Sequence, residues 1–211
     1  MNNAKIVRFS NLSKWDLRKI VLNSNYSMTP FGKFLQKCEV EYELLNPNKD
    51  YLILGVRSYG LGVYHNRIAK GSTLITKTIK RYQKIKAGNL FWCKVDTKNG
   101  AFGVTQKEHE NYYASSNMIQ AEINDKEIIP SFLQLLFQNK NFQEYLDSKT
   151  TGSTNRKYIS FNELLDIEIP LPDYEIQEKI INDLTNIDNK IKDLQNEKKH
   201  FIDKINSDMF L

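Results

Sequence analysis

Residues 173–208 read DYEIQEKIINDLTNIDNKIKDLQNEKKHFIDKINSD. Apolar residues recur there in steps of three and four, the heptad spacing of a helix that packs against another helix. Lys198 interrupts the apolar stripe at one a position. A single helix cannot bury such a stripe, so we expect a partner helix and a homodimer. The predicted dimer interface consists of Ile180, Leu184, Ile187, Ile191, Leu194, Lys198, Phe201 and Ile205.

The sequence before this helix is long enough for one globular domain. The chain has 211 residues, which leaves roughly 170 for a core. We therefore predict a domain at 1–168 and a long helix at 169–211 that forms a coiled coil. The domain should be α+β. Strands are predicted within 51–64, 89–95, 103–105 and 114–123, and helices at 13–22 and 129–147. We also predict a turn at 46–49, a polar loop at 148–157 and a capping box at 160–163. The stretch 31–45 could form a helix or a strand.

Charge is unevenly distributed along the chain. Between Tyr64 and Lys107 there are ten basic residues and one acid, Asp96, which gives 10 − 1 = +9. From Asp173 to Asp208 there are nine acids and six lysines, which gives 6 − 9 = −3. A basic domain on an acidic helix is typical of a protein whose domain faces a polyanion. A solvated basic face is the alternative interpretation.

The sequence lacks the motifs of an enzyme. It contains neither a phosphate-binding loop nor a complete dinucleotide fingerprint. Asp96-Thr97-Lys98 could end a metal-dependent nuclease motif, but no partner acid precedes it at short range. We predict no catalytic residue, no metal and no cofactor in this chain. The two cysteines, the polar N-terminus and the absence of a membrane-length apolar run predict a cytoplasmic protein without a membrane partner.

Nucleic-acid binding is the function that remains. Lysine and arginine neutralise phosphates, and Arg, Asn and Gln form paired hydrogen bonds with base edges. We expect Arg57, Asn155 and Arg156 at base edges. The full set of DNA-binding candidates is Arg57, Ser58, Tyr59, Lys77, Lys80, Arg81, Lys94, Lys98, Asn99, Gln106, Asn117, Thr154, Asn155, Arg156 and Lys157.

Three stretches resemble one family. They are LGVRSYGLGVYH at 54–65 within Tyr51–Lys70, IKAGNLFWCKV at 85–95 with its continuation to Asn117, and the junction 152–180 with IPLP at 169–172. Together they resemble half of a specificity subunit of type I restriction-modification systems. The most specific of these features is the junction. There, Ile-Pro-Leu-Pro is followed closely by Gln177 at the start of a long helix.

The resemblance implies a non-catalytic subunit that reads double-stranded DNA. Complete members usually carry two recognition domains and two helices. The resemblance therefore implies that a chain with one of each pairs through an antiparallel coiled coil and reads a bipartite inverted-repeat site. Methyltransferase (M) and restriction (R) subunits would then be partners, and would carry adenosylmethionine, ATP and Mg. A coiled-coil homodimer without DNA specificity and a small metal-dependent nuclease are the alternatives. The basic segment argues against the first, and the missing carboxylates argue against the second.

Overall fold

The computed structural model describes residues 22, 24–95, 100–153 and 156–209, and only the backbone of 151–153 and 156–157. The helix predicted at 13–22 falls outside the described residues, Leu22 excepted. The strands are β1 (Met28–Pro30), β2 (Leu35–Lys37), β3 (Tyr42–Leu44), β4 (Asp50–Val56), β5 (Val63–Lys70), β6 (Arg81–Lys84), β7 (Asn89–Cys93), β8 (Phe102–Val104), β9 (Tyr112–Ala114), β10 (Met118–Ile123), β11 (Thr151–Ser153), β12 (Arg156–Tyr158) and β13 (Glu168–Pro170). The helices are α1 (Gly71–Leu74), α2 (Pro130–Gln138), α3 (Lys140–Lys149), α4 (Phe161–Leu165) and α5 (Tyr174–Met209).

Two sheets form the body of the domain and confirm the predicted α+β class. One sheet has five strands in the order β3-β6-β9-β4-β5, and the other has four in the order β2-β10-β7-β8. Only the β4–β9 pair is parallel among the pairings of these two sheets. The predicted strands at 89–95, 103–105 and 114–123 correspond to β7, β8 and the β9–β10 region. The turn at 46–49 is also confirmed, since Lys49 N donates to Asn46 O at 3.2 Å.

The four-stranded sheet lies between the five-stranded sheet and α2. Leu90, Phe91 and Trp92 of β7 are consecutive and fully buried, and successive strand residues face opposite sides, so both faces of β7 are covered. On one side Phe91 packs with Leu54 of β4. On the other side Trp92 stacks on Phe102, whose ring stacks on Phe137 of α2 with 4.3 Å between centroids.

The prediction of a single helix at 129–147 is wrong in one respect: the structure has two helices in this stretch, α2 and α3. Pro130 occupies the first turn of α2, as its locked φ favours. Asn139 leaves the helical region with ψ 122°, and its side chain accepts a hydrogen bond from Phe142 N at 3.1 Å. Asparagine competes well as an N-cap, so it ends α2 and begins α3. Leu133, Phe137 and Leu146 of these helices are fully buried, and Leu136 is half-buried.

A further prediction needs correction. The polar loop expected at 148–157 is the end of α3 followed by the β11–β12 hairpin, which is paired in antiparallel register. The ambiguous stretch 31–45 contains a 3-10 turn at 31–33 and the strands β2 and β3. The first compact unit of the chain ends at Pro172, since β13 pairs with β1. The capping box is present, because Ser160 Oγ accepts from Glu163 N and Ser160 N donates to Glu163 Oε2.

The long helix α5 forms a unit of its own, Asp173–Leu211. Its 36 residues span about 54 Å at 1.5 Å per residue. Ile180 is half-buried, whereas the other apolar members of the predicted interface are between 36% and 64% exposed, and Lys198 is exposed. An apolar stripe of this kind on one side of a helix is typical of a surface that a partner covers. No described helix is long and apolar enough to cross a membrane.

Candidate nucleic-acid interface

Three loops of the domain carry, among their described residues, five of the predicted DNA-binding residues. Loop L1 (57–62) joins β4 to β5, and loop L3 (115–117) joins β9 to β10. Between β7 and β8 the structure describes residues 94–95 and 100–101, which we call L2. L1 is a closed turn, because Arg57 N donates to Gly62 O at 2.8 Å. Gly60 and Gly62 both have positive φ, which is the reason that the sequence needs glycine at those positions.

Main-chain hydrogen bonds hold the three loops side by side. Gly60 N of L1 donates to Gly100 O of L2 at 2.8 Å, and Lys94 N of L2 donates to Asn117 O of L3 at 3.0 Å. Each contact joins segments that are remote in the sequence. Loops positioned by a rigid scaffold are where binding residues concentrate. The three loops therefore form one surface, which we call the tip.

The amide of Gln134 on α2 fixes L1 to the scaffold. Its Nε2 donates to Gly60 O, and its Oε1 accepts from Val104 N of β8 at 2.8 Å. Gly60 is so close to α2 that an added Cβ would lie 2.3 Å from the carbonyl carbon of Phe137. L1 is consequently held by its backbone, which leaves its side chains available.

A buried amide pair fixes L3. Gln83 Nε2 donates to Ser115 O and to Met118 O, both at 2.7 Å. Gln120 Nε2 donates to Gln83 Oε1 at 3.0 Å and to Lys84 O at 2.9 Å. Both side chains are almost fully buried, and such amides stabilise a fold when their groups are paired. The pair connects the two sheets at the base of the loop that carries Asn117.

The side chains at the tip combine charge, aromatic surface and an amide. Arg57 is exposed, and its guanidinium lies 5.2 Å from the ring centroid of Tyr64. Tyr59 and Asn117 are exposed, while Ser58 and Lys94 are half-buried. Of the predicted DNA-binding residues, the structure brings these five together: Arg57, Ser58, Tyr59, Lys94 and Asn117.

The remaining DNA-binding candidates lie away from the tip or outside the residues that the structure describes. Lys77 and Lys80 lie on the segment between α1 and β6, where Lys80 O accepts from Leu45 N, and Arg81 begins β6 opposite Leu44. Gln106 is exposed at a 3-10 turn, with its N donating to His109 Nδ1. Outside the described residues, or described by backbone alone in β12, are Lys98, Asn99, Thr154, Asn155, Arg156 and Lys157.

Acidic side chains neutralise part of the basic segment. Lys84 Nζ lies 2.6 Å from Glu41 Oε1, and that hydrogen bond raises the pKa of Lys84. Outside that segment, Lys49 Nζ lies 2.7 Å from Glu43 Oε1 and lowers the pKa of the Glu43 carboxyl. A carboxyl whose pKa is lowered in the folded state stabilises the fold when the pH is above its ordinary, unfolded-state pKa. That stabilisation is lost as the pH falls through the lowered pKa of the folded state. Among the described residues, no group of three His, Cys, Asp or Glu is placed to hold a metal ion.

Sequence reasoning missed the residues that build the tip. Gln83, Gln120 and Gln134 were not singled out, because an isolated glutamine carries no pattern that reveals a distant backbone partner. Gly60 and Gly62 belong to the stretch 54–65 that resembles the family and to an incomplete dinucleotide fingerprint, but neither pattern predicted a turn held against α2. The position of Gln120 between the apolar residues Ile119 and Ala121 of β10 was the one available signal.

The chain belongs to the type I restriction modification DNA specificity domain family, whose model matches residues 37–204. That match covers all three loops and most of α5. The chain is 28% identical over 109 residues to the HindI specificity subunit of Haemophilus influenzae. This alignment covers 51% of the chain and 24% of that protein. The family match confirms the predicted resemblance to specificity subunits, which are non-catalytic components of restriction-modification enzymes.

Solved structures agree on the fold. The HsdS subunit from Thermoanaerobacter tengcongensis aligns with a TM-score of 0.59 at 14% identity, over 85% of this chain and 46% of that one. A structure from work on complex assembly and conformational transition of the type I R-M system aligns with the same values. The chain therefore spans less than half the length of these relatives. At this identity the likeness establishes a mixed α+β domain with a long C-terminal helix.

Proposed function

We propose that this chain reads duplex DNA in a type I restriction-modification system and that the tip is the surface that does so. The observation that carries the proposal is the joining of L1, L2 and L3 by main-chain hydrogen bonds, which gathers Arg57, Tyr59, Lys94 and Asn117 on one surface. Cations of this kind bind phosphates, and arginine and asparagine pair with base edges. Membership of a DNA specificity family supports the same assignment.

We further propose that two copies pair through α5. The apolar side chains of its seam are exposed in the single chain, and burying each of them against a second helix contributes to the free energy of association. In an antiparallel pair an a position faces a d' position, so Lys198 does not face its own copy. Each domain precedes its own α5, so the two domains stand at opposite ends of such a pair.

A dimer of this kind would read a bipartite DNA site. A two-fold axis relates the two domains, so the same side chains contact two half-sites in inverted orientation. The gap between the half-sites would be set by the length of α5. M and R subunits would bind this dimer and bring adenosylmethionine, ATP and Mg, and the assembly would act in the cytoplasm, where its DNA lies.

The test is a selection of duplexes from a randomised library by the purified full chain, alone and with type I M subunits. The proposal predicts enrichment of an inverted repeat with a fixed gap whose bases are not read. It also predicts that light scattering gives the molar mass of a dimer. A dimer that enriches no sequence would favour the coiled-coil interaction protein. Cleavage of plasmid DNA by the chain alone with Mg would favour the nuclease.

A further inference from the structure

L1 presents two apolar side chains on either side of a buried glycine. Tyr59 and Leu61 are each 59% exposed, whereas Gly60 between them is buried. Isolated exposed apolar residues are common and require no explanation. Tyr42 and Leu44 are an example, since they are 48% and 65% exposed on the regular edge strand β3. The L1 pair differs from them in its backbone.

Three hydrogen bonds and one close backbone contact fix the backbone of L1. Gly60 N donates to Gly100 O, Gly60 O accepts from Gln134 Nε2, and Arg57 N closes the turn onto Gly62 O. The close approach of Gly60 to Phe137 leaves no space for a Cβ. A side chain on such a turn loses little further backbone entropy on binding, so it is pre-organised to contact a ligand.

Tyr59 is held in a strained conformation. Its φ is 61°, and among the described residues it is the one non-glycine residue with positive φ. The left-handed region is unfavourable for a bulky side chain, and such strain persists where the surrounding structure imposes it. Here the anchored glycine that follows Tyr59 imposes it. The result is an aromatic ring projecting from a rigid turn next to Arg57.

We infer that Tyr59 and Leu61 form a wedge that enters a base step of each half-site and unstacks it. This inference rests on the proposed function, since it assigns a task to the tip when DNA is bound. Apolar side chains inserted between base steps kink duplex DNA, and aromatic rings stack on bases of any identity. The neighbouring Arg57 and Lys94 would hold the phosphates beside the opened step.

Duplex DNA fits this surface better than a protein partner does. Apolar patches larger than a few hundred Å² mark protein–protein interaction sites, whereas the wedge offers two side chains with Arg57, Lys94 and Asn117 around them. A base step is about the size of two side chains and is bordered by phosphates. The wedge therefore matches a base step in size and the flanking groups match it in charge.

The experiment measures DNA bending by energy transfer between dyes at the two ends of a half-site duplex. The half-site is the sequence enriched in the selection above, and the protein is the full chain with its M subunits. The wild type should bend the duplex by roughly 20–90°. Tyr59→Ala with Leu61→Ala should leave it straight and weaken binding about tenfold. The slope of affinity against salt should stay unchanged, because no cation is removed.

Matched variants show whether a loss of DNA bending comes from the missing wedge or from a damaged fold. Tyr42→Ala with Leu44→Ala removes the same two residue types at the same spacing from β3, and should bend DNA like the wild type. Tyr59→Phe keeps the ring and should also bend it. Tyr59→Gly relieves the positive φ, so it should fold at least as stably as the wild type and yet bend the duplex less.

Two results would overturn the inference while the proposed function stands. One is sequence-selective binding by the wild type that leaves the duplex straight. The other is undiminished bending by the Tyr59→Ala, Leu61→Ala variant. A wild-type assembly that selects no DNA sequence would instead overturn the proposed function, and the wedge with it.

Discussion

The backbone N–H of Gly60 donates to the carbonyl oxygen of Gly100 at 2.8 Å, and this hydrogen bond joins two loops that are far apart in the sequence. It exists because glycine at position 60 has a φ of 65° and lies against the backbone of Phe137. Any side chain at this position would push L1 away from α2 and L2. The tip therefore depends on a residue that cannot itself contact DNA.

Gly60→Ala should lower the free energy of unfolding by about 2–4 kcal/mol, the sum of left-handed strain and a backbone clash. Urea denaturation monitored by tryptophan fluorescence measures it. Gly88→Ala is the matched control, since Gly88 has a φ of 76° but no atom within 4 Å of its added Cβ. That variant should lose only about 1–2 kcal/mol. Equal losses in the two variants would show that the contact with Phe137 does not matter.

Gln83→Leu should lower the free energy of unfolding by about 2–3 kcal/mol, because the carbonyl of Met118 and the amide of Gln120 lose their buried partner. Amide hydrogen exchange should also become faster in L3. Gln36→Leu on the exposed face of β2 is the control, with an expected change within about 0.5 kcal/mol. A Gln83 variant as stable as the control would mean that the amide pair does not support L3.

Replacing Leu184, Ile191 and Leu194 together with Asp should convert the proposed dimer to a monomer, because each substitution puts a charge into the apolar seam. Light scattering measures the mass. Asn182→Asp, Asn189→Asp and Asn196→Asp add the same charge on the opposite side of α5, where all three side chains are exposed, and should leave a dimer. A dimeric seam variant would refute pairing through this stripe.

Salt dependence tests where phosphates bind. With about six phosphate contacts per domain, the log–log slope of affinity against salt should be about −5. Changing Lys77, Lys80 and Arg81 to Ala should flatten it by up to about 3. The same substitution of Lys179, Lys192 and Lys199 on α5 should not change it. If both triple variants kept the wild-type slope, phosphate binding would be confined to the tip and its neighbours.

The elements with strong local patterns were predictable. The heptad spacing predicted α5, the apolar residues within 89–95 predicted a strand, and Ser160 with Glu163 predicted a capping box. The break at Asn139 was not predicted, because the apolar period continues across it and only the competition between helix propensity and N-capping ends α2. The β11–β12 hairpin was missed because its polar residues show no alternation.

The site was predictable only in part, for a different reason. Residues such as Arg57 and Asn117 could be nominated from residue type and turn position, but their proximity depends on contacts between backbones. Nothing in the local sequence links Gly60 to Gly100 or Lys94 to Asn117. Lys84 could not be recognised as partly neutralised, because its acidic partner Glu41 lies on another strand.

The central claim is that α5 spaces two identical DNA-reading domains. A map of methylated sites, made with a partner M subunit and with the chain carrying one heptad inserted between Leu184 and Leu194, tests it most directly. One heptad adds about 10.5 Å, or about three base pairs. We predict the same inverted half-sites with a longer gap, and a correspondingly shorter gap when a heptad is deleted. Unchanged gaps, or altered half-sites with a fixed gap, would contradict the account.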